Sequence, residues 1–448
     1  MKKITLGILI GILGLNVFSQ TLPVTPLYTY RTGIFDDGGS EIVAYDRISK
    51  QLYSTNGSEN KIDIINISDP EKSYLVKQVD LTPFIGSVNS VAAKNGYFVV
   101  AGEPFDPQGN GKLLFFDYNG NYIQQLTVGA MPDMVTFSPG GNIILCANEG
   151  EPSTDYVADP KGSISIVNFN SGDPLLLSQS DVTTIDFTRY DLGGLHPNVR
   201  IFGNDGLQSA SQDMEPEYIT VDSAGTKAWV TLQENNAIAV IDLATKTIDT
   251  VFPLGFKDFS LATNEIDASD KAASIQFSTY KNLFGMYQPD AIAHFKLNGK
   301  NYLATANEGD SRDYSAYSEE KRVKDITLDA ATFFPDAPII QLEQQLGRLK
   351  ITTTLGDNDN DGDYDSLYTF GARSFSIWDA DGDSLIWDSA DEFEKTTALL
   401  YPNNFNCNND DNTLKSRSDD KGPEPEAVAI GEVDGILYAF IGLERMGG

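Results

Sequence analysis

Alternating apolar and polar positions recur along the chain in short runs. Each run opens on an acid or amide and is followed, after a turn, by a second apolar run ending on an acid. Glu41-Ile-Val-Ala-Tyr leads to Ser58-Glu59-Asn60, Asn89-Ser-Val-Ala-Ala to Gly102-Glu103-Pro104, and Asp133-Met-Val-Thr-Phe to Ala147-Asn148-Glu149. The phrase returns from Glu217-Tyr-Ile-Thr-Val to Gln233-Glu234-Asn235, from Asp290-Ala-Ile-Ala to Asn307-Glu308-Gly309, and from Glu426-Ala-Val-Ala-Ile to Leu443-Glu444-Arg445. A period of two marks strands. Several copies add a third strand, as in residues 61–66 and 237–242. Short strands joined by Gly, Asn and Asp turns and repeated as a unit predict an all-β chain, a β-propeller built blade by blade.

In an antiparallel hairpin the start of the first strand lies beside the end of the second. Asp133 is therefore expected beside Glu149, Glu217 beside Glu234, Asp290 beside Glu308, and Glu426 beside Glu444. If the first strand is innermost in each blade, these acids meet at one mouth of a central channel. Like charges so placed repel unless a cation, a basic side chain or water compensates. Any one of these acids taken alone reads as a turn residue. As a recurring set they predict a shared polar site, with Glu217, Glu234, Asp290 and Glu426 facing a ligand. Glu149, Glu308 and Glu444 are the candidates to hold a second divalent metal of unspecified identity.

The repeat spacing is short at first and then stretches. Residues 171–213, rich in Gly, Asp, Ser and Asn, read as one insertion and residues 313–365 as another, with a helix expected over Ser318–Asp329. The later phrase Arg373-Ser-Phe-Ser-Ile-Trp-Asp379 resembles a third strand, so the fifth blade is expected to be split and to resume near Ser366. Only a hairpin follows Glu426, which predicts a last blade incomplete in this sequence. Long loops on a repeat scaffold tend to carry function.

Within the second insertion, Asp357-Asn-Asp359-Asn-Asp361-Gly362-Asp363-Tyr-Asp365 alternates oxygen donors around a Gly. This is the first half of a calcium loop, with Asp357, Asp359, Asp361 and Asp365 as side-chain ligands and Asp363 giving its carbonyl. Tyr368 stands where a helix–loop–helix sensor would place Glu, so the expectation is calcium in a loop between strands, against the plainer reading of an acidic turn. Arg312, Arg445, Arg417 and Lys421 lie beside the mouth acids in sequence. Acids with Arg and Lys can clamp a metal-bound oxyanion, and they can equally form structural ion pairs. Catalysis through histidine is poorly supported, since only His196 and His294 are present and no nucleophile elbow or phosphate loop appears.

The chain of 448 residues carries 64 acids against 32 basic residues, a net charge of −32. That excludes nucleic acid and anionic membranes as natural partners, both of which require basic surface. Lys2 and Lys3 precede an apolar run to Val17 and then Ser19-Gln20, the pattern of a signal peptide over residues 1–20 cut near its end. The run is short for a membrane span. The remainder, residues 21–448, is then an exported, monomeric, extracellular or cell-surface domain. Export permits a disulfide, but Cys146 lies mid-strand and Cys407 in a polar loop; Cys146 reads better as a small buried hydrophobe.

Four longer phrases carry a family resemblance: Gln212-Asp-Met-Glu-Pro-Glu-Tyr-Ile219, Ala306-Asn-Glu-Gly-Asp-Ser-Arg-Asp-Tyr314, Phe370-Gly-Ala-Arg-Ser-Phe-Ser-Ile-Trp378 and Arg417-Ser-Asp-Asp-Lys-Gly-Pro-Glu-Pro-Glu426. With Ala439-Phe-Ile-Gly-Leu-Glu-Arg445, they resemble the choice-of-anchor I family. The resemblance implies a secreted bacterial propeller of seven blades, tethered by a C-terminal anchor, in a family often labelled alkaline phosphatase-like. The expected function is ligand binding at an acidic, metal-containing channel mouth. One rival is a metal-dependent phosphoester hydrolase, with Arg312, Arg445 and Lys421 as its catalytic cations and Arg417 among the ligand contacts. The other rival is a purely adhesive surface protein.

Overall fold

The computed structural model describes residues 22–447 apart from 36 and 334, so the signal peptide expected over residues 1–20 lies outside the described residues. Successive antiparallel sheets follow one another along the chain, each meandering outward from its first strand. The first sheet runs Val43–Asp46, Gln51–Asn56, Lys61–Asn66 and Tyr74–Asp80. The second spans Ser87–Ala130, the third Pro132–Asp186 and the fourth Pro216–Pro253, all four-stranded. The fifth comprises Ile292–Leu297, Lys300–Asn307, Ser374–Asp379 and Ser384–Asp388, and the sixth is the hairpin Pro425–Val433 with Ile436–Leu443. Asn60, Asn95 and Asn236 close tight turns in the left-handed region, which a short amide side chain tolerates better than most residues.

The first strands of consecutive sheets pack against one another in chain order, from Val43–Asp46 through to Pro425–Val433. Hydrophobic clusters fill the seams between neighbouring sheets. Tyr53 and Ile64 of the first sheet meet Phe98 and Leu114 of the second, and Val99 and Phe115 meet Ile144 and Cys146 of the third. Trp229 and Ile238 of the fourth pack with Leu303 and Trp378 of the fifth. A core distributed between faces of successive sheets is the arrangement of a propeller-like fold.

Several boundaries differ from the sequence expectation. The stretch 171–213 is only partly an insertion: Val182–Asp186 completes the third sheet, and Tyr190, Val199 and Ala210 enter its core. No helix forms over Ser318–Asp329. Glu320–Arg322 is a strand paired with Lys350–Thr352, followed by a single 3₁₀ turn at Val323–Asp325. Val323 and Leu328 instead join Phe259, Leu283, Leu349, Ile351 and Leu367 in a satellite core. That packing outweighs the weak helical preference of a short charged segment. The fifth sheet is split as expected, but it resumes at Ser374; Leu367–Thr369 pairs in parallel with Leu283–Met286, in a small sheet that residues 256–286 help build.

Both cysteines are buried and free. Cys146 sits in the seam between the second and third sheets, as a small hydrophobe.

Candidate functional site

Proline opens the inner strand of several sheets and sets where the acids point. Pro132-Asp133, Pro216-Glu217 and Pro425-Glu426 each stand at a strand's first position, where the missing N–H costs no ladder bond. Beside Pro216 and Pro425 the pairing shifts register at once, as it does opposite Pro132. Such β-bulges turn a side chain away from its regular face. Met131 and Glu424, before Pro132 and Pro425, take positive φ values of 44° and 49°, as does Gln288, before Pro289-Asp290, at 41°.

The result is one polar cavity of about 1100 Å³ at the strand starts, lined by Glu41, Asn89, Asp133, Asp290, Glu426 and Glu444. Asp37 also faces it, and no Lys, Arg or His lines it among the described residues. Asn89 donates to Glu103 Oε1 at 3.1 Å, the same hairpin relation in the second sheet. The other pairs interact as well: Asp133 acts on Glu149, Glu234 on Glu217, Glu308 on Asp290, and Glu426 on Glu444. Burial, then the charge of Glu103, pushes the Asp133 carboxyl up to about 7. Burial, then Glu308, pushes Glu444 up to about 7. Asp290 lies well above its ordinary range through burial and then Glu308.

A stability consequence follows from those directions. Raised carboxyls hold more protons in the folded chain than in the unfolded one, so stability falls as pH rises between the unfolded value, about 4, and the folded value near 7. Without divalent cations the protein is expected to melt several degrees higher at about pH 5 than at about pH 8. Thermal melts in chelator across that range check this; a flat or rising profile would mean the cavity acids stay ionised on folding.

The carboxylates beyond the hairpin ends form two groups rather than one. Glu308 and Glu444 meet Glu424, their oxygens within 4.8 Å of one another. Three cations are threaded through this group. Lys421 Nζ lies 2.6 Å from Glu308 and 3.4 Å from Glu424, Arg417 pairs with Glu424, and Arg445 reaches Glu424 at 3.2 Å and Glu444 at 3.1 Å. Despite burial, which opposes its charge, Lys421 is held above its ordinary value by Glu308, Asp310 and Glu424. This group is balanced by its own basic residues.

Glu149 and Glu234 instead meet Glu215, again within 4.8 Å. The expected joint grouping of Glu149 with Glu308 and Glu444 is therefore not formed, because Glu149 follows the second strand of the third sheet while the other two follow the second strands of the fifth and sixth. Arg312 does not fold over Glu308 either. It is 1% exposed, its Nη2 3.1 Å from Glu215 and 2.7 Å from the Asp213 carbonyl, its Nη1 on the Asp213 carboxylate, and its plane 4.7 Å from the Phe202 ring. Asp213 is held by the backbone N–H groups of Phe202 and Gly203, which fixes the pair in place. Gln233, next to Glu234 in sequence, donates to Glu308 at 3.1 Å.

The Asp357 loop brings Asp357, Asp359 and Asp361 together, their carboxylate oxygens also within 4.8 Å. Asp357 accepts the backbone N–H groups of Asp361 and Gly362 at 3.1 Å each, Gly362 has φ +95°, and Asp365 accepts from Asn358 at 2.9 Å. The charge of Asp361 is the main cause raising the Asp359 carboxyl.

Sequence reasoning assigned no site role to Glu215, Glu424, Asp213 or Asp310. A signal for two of them was present: Glu215-Pro216-Glu217 and Glu424-Pro425-Glu426 are the same tripeptide at the same place in their sheets.

Residues 41–448 match the choice-of-anchor I domain. The chain belongs to the choice-of-anchor I family. Membership places it among cell-surface or secreted proteins, and among the described residues no helix is long and apolar enough to cross a membrane. The mesenchyme-specific cell surface glycoprotein of Strongylocentrotus purpuratus is 30% identical over 305 residues, covering 59% of this choice-of-anchor I chain and 39% of the relative. Gigasin-3a of Magallana gigas is 38% identical over 115 residues, 25% of this chain and 40% of its own length. The chain thus matches about two fifths of the length of these curated relatives. Among solved structures, a protein from Lactobacillus plantarum has a TM-score of 0.37 at 14% identity, covering 60% of this chain and 64% of that one.

Proposed function

We propose that this choice-of-anchor I domain is a non-catalytic receptor at the cell surface whose acidic cavity takes a cationic ligand. The observation that carries the reading is the cavity itself: acids from several sheets converge on it and no basic residue lines it among the described residues. Such a field attracts cations and repels oxyanions. Phosphoester hydrolysis fits less well, because Arg312, Arg417, Arg445 and Lys421 are each committed to carboxylates. The Strongylocentrotus purpuratus relative is a cell surface glycoprotein, which agrees with a surface setting.

The test is titration calorimetry of the whole domain with calcium, a polyamine and inorganic phosphate as probes. Calcium or the polyamine should bind, and the double variant Asp290→Asn, Glu426→Gln should weaken that binding by about tenfold or more, roughly 1.4 kcal/mol. Binding of phosphate without added cation, or unaltered binding by the double variant, sinks the reading.

Calcium at Asp357–Asp365 belongs to the same proposal, as the element that orders the insertion. Binding to the native state alone stabilises it by mass action. Chelation should lower the melting temperature and open the chain to protease between Asp357 and Asp365. Indifference of both measurements to chelator would leave the loop as a plain turn.

A further inference from the structure

The geometry points to a separate divalent-cation site formed by Glu149, Glu215 and Glu234, in the seam between the third and fourth sheets. Three carboxylate oxygens within 4.8 Å of one another match the span of hard-cation ligands at roughly 2.3–2.6 Å from a common centre. Oxygen-only donors suit calcium, magnesium or manganese, and the group lacks the imidazole and thiolate ligands typical of zinc and copper sites.

A second observation separates this group from an ordinary acidic cluster. Glu215 and Glu234 are 1% and 6% exposed, and the Oε2 atom of each accepts no hydrogen bond among the described residues. A buried carboxylate oxygen left without a donor costs free energy comparable to a lost hydrogen bond, or more when charged. Glu217, next but one in sequence, carries the same kind of unpartnered buried oxygen.

The internal comparison supplies the chemistry. The Glu308–Glu424–Glu444 group has the same construction, with a Glu before the strand-opening proline and a Glu after the hairpin end. There the positive charge comes from the Lys421 ammonium, in contact with Glu308 and Glu424, joined by Arg417 and Arg445. In the Glu149–Glu215–Glu234 group, Arg312 pairs with Glu215 but is shared with Asp213, and no Lys or Arg pairs with Glu149 or Glu234 among the described residues. The nearby Arg200 is engaged by Glu319 at 2.6 Å and by the Glu234 carbonyl rather than its carboxylate. A divalent ion among these carboxylates performs the task that Lys421 performs in the sister group. Glu151, whose carboxylate accepts from Tyr314 at 2.6 Å, stands beside Glu149 as an outer member.

The site does not depend on the reading of the cavity as a receptor, since none of its three carboxylates lines that space. The experiment counts bound calcium by equilibrium dialysis of the whole domain in a background of Asp359→Asn and Asp361→Asn, which silences the insertion loop. Adding Glu215→Gln and Glu234→Gln should remove one further equivalent of calcium and diminish the calcium-dependent rise in melting temperature. Glu149→Gln is the second variant. It lies outside the Arg312 ion pair, so the fold should survive, and calcium affinity should fall at least about tenfold. Asp290→Asn, in the cavity, should leave this equivalent bound. Unaltered stoichiometry and affinity in the Glu149 variant overturn the assignment. So does a Gln variant that is more stable in chelator while wild type gains nothing from calcium, the outcome if protons alone neutralise the group.

Discussion

Replacing Arg312 with Met is expected to cost about 3–5 kcal/mol of folding stability, the range for removing one partner of a buried ion pair. The guanidinium is almost wholly enclosed and serves the Asp213 carboxylate and carbonyl, Glu215 and the face of Phe202 at once. Met fills similar space but leaves two buried carboxylates facing each other. Arg312→Lys should fall between, since an ammonium keeps the charge but cannot span Asp213 and Glu215 with a planar fork. Adding Asp213→Asn to Arg312→Met should recover part of the loss, because the sites share one network. Denaturant midpoints of the four proteins give the answer. A loss under about 1 kcal/mol would place the pair with exposed salt bridges and contradict its burial.

Gly371→Ala should be the most damaging single methyl group in residues 308–373, between the second and third strands of the fifth sheet. Gly371 has φ +72°, and a Cβ there would stand 2.0 Å from the Glu308 carbonyl oxygen. Its neighbour Gly309, at φ +94°, would place a Cβ 2.1 Å from the Gly371 nitrogen. Two backbones meet where the insertion leaves and re-enters the fifth sheet, and neither can retreat without disturbing Glu308 and its contact with Lys421. The expected loss is more than about 3 kcal/mol, with new protease cleavage in residues 308–373. Gly299→Ala is the control. It shares a positive φ, +83°, but nothing lies within 4 Å of the added carbon, so its cost should stay near 1–2 kcal/mol. Equal losses in the two variants would show that backbone conformation, not the close approach, decides the outcome.

The repeat was legible because each acid sits at a fixed phase of a period-two pattern. Glu149, Glu234, Glu308 and Glu444 could therefore be placed at strand ends from sequence, and Cys146 as a buried hydrophobe inside one strand. Partnership across sheets was not legible. Arg312 finds Asp213 and Glu215, which lie before the inner strand of another sheet, and local spacing pointed instead to Glu308. The tripeptide Glu-Pro-Glu held the clue to Glu215 and Glu424, but its meaning depends on a bulge that appears only when strands pair. The false helix over Ser318–Asp329 has a similar origin. Its charged residues suggested an exposed face, while Val323 and Leu328 were committed to a core with residues 259–283 and 346–367.

The divided fifth sheet also sets an order of assembly. Its central pairing joins Asn307 to Ser374 across the whole insertion, whereas Gln51–Asn56 and Lys61–Asn66 meet through a tight turn. Loop closure costs about 0.6 kcal/mol more for each doubling of length, so the fifth sheet begins with a deficit of roughly 2–3 kcal/mol against a hairpin. The first four sheets can form from contacts close in sequence, and the fifth must wait until the satellite core has gathered residues 259–367 into a compact body that brings Ser374 home. A folding chain therefore carries an unfinished edge at Lys300–Asn307 until Ser374–Asp379 pairs with it, and while open that edge is a template for pairing with other chains.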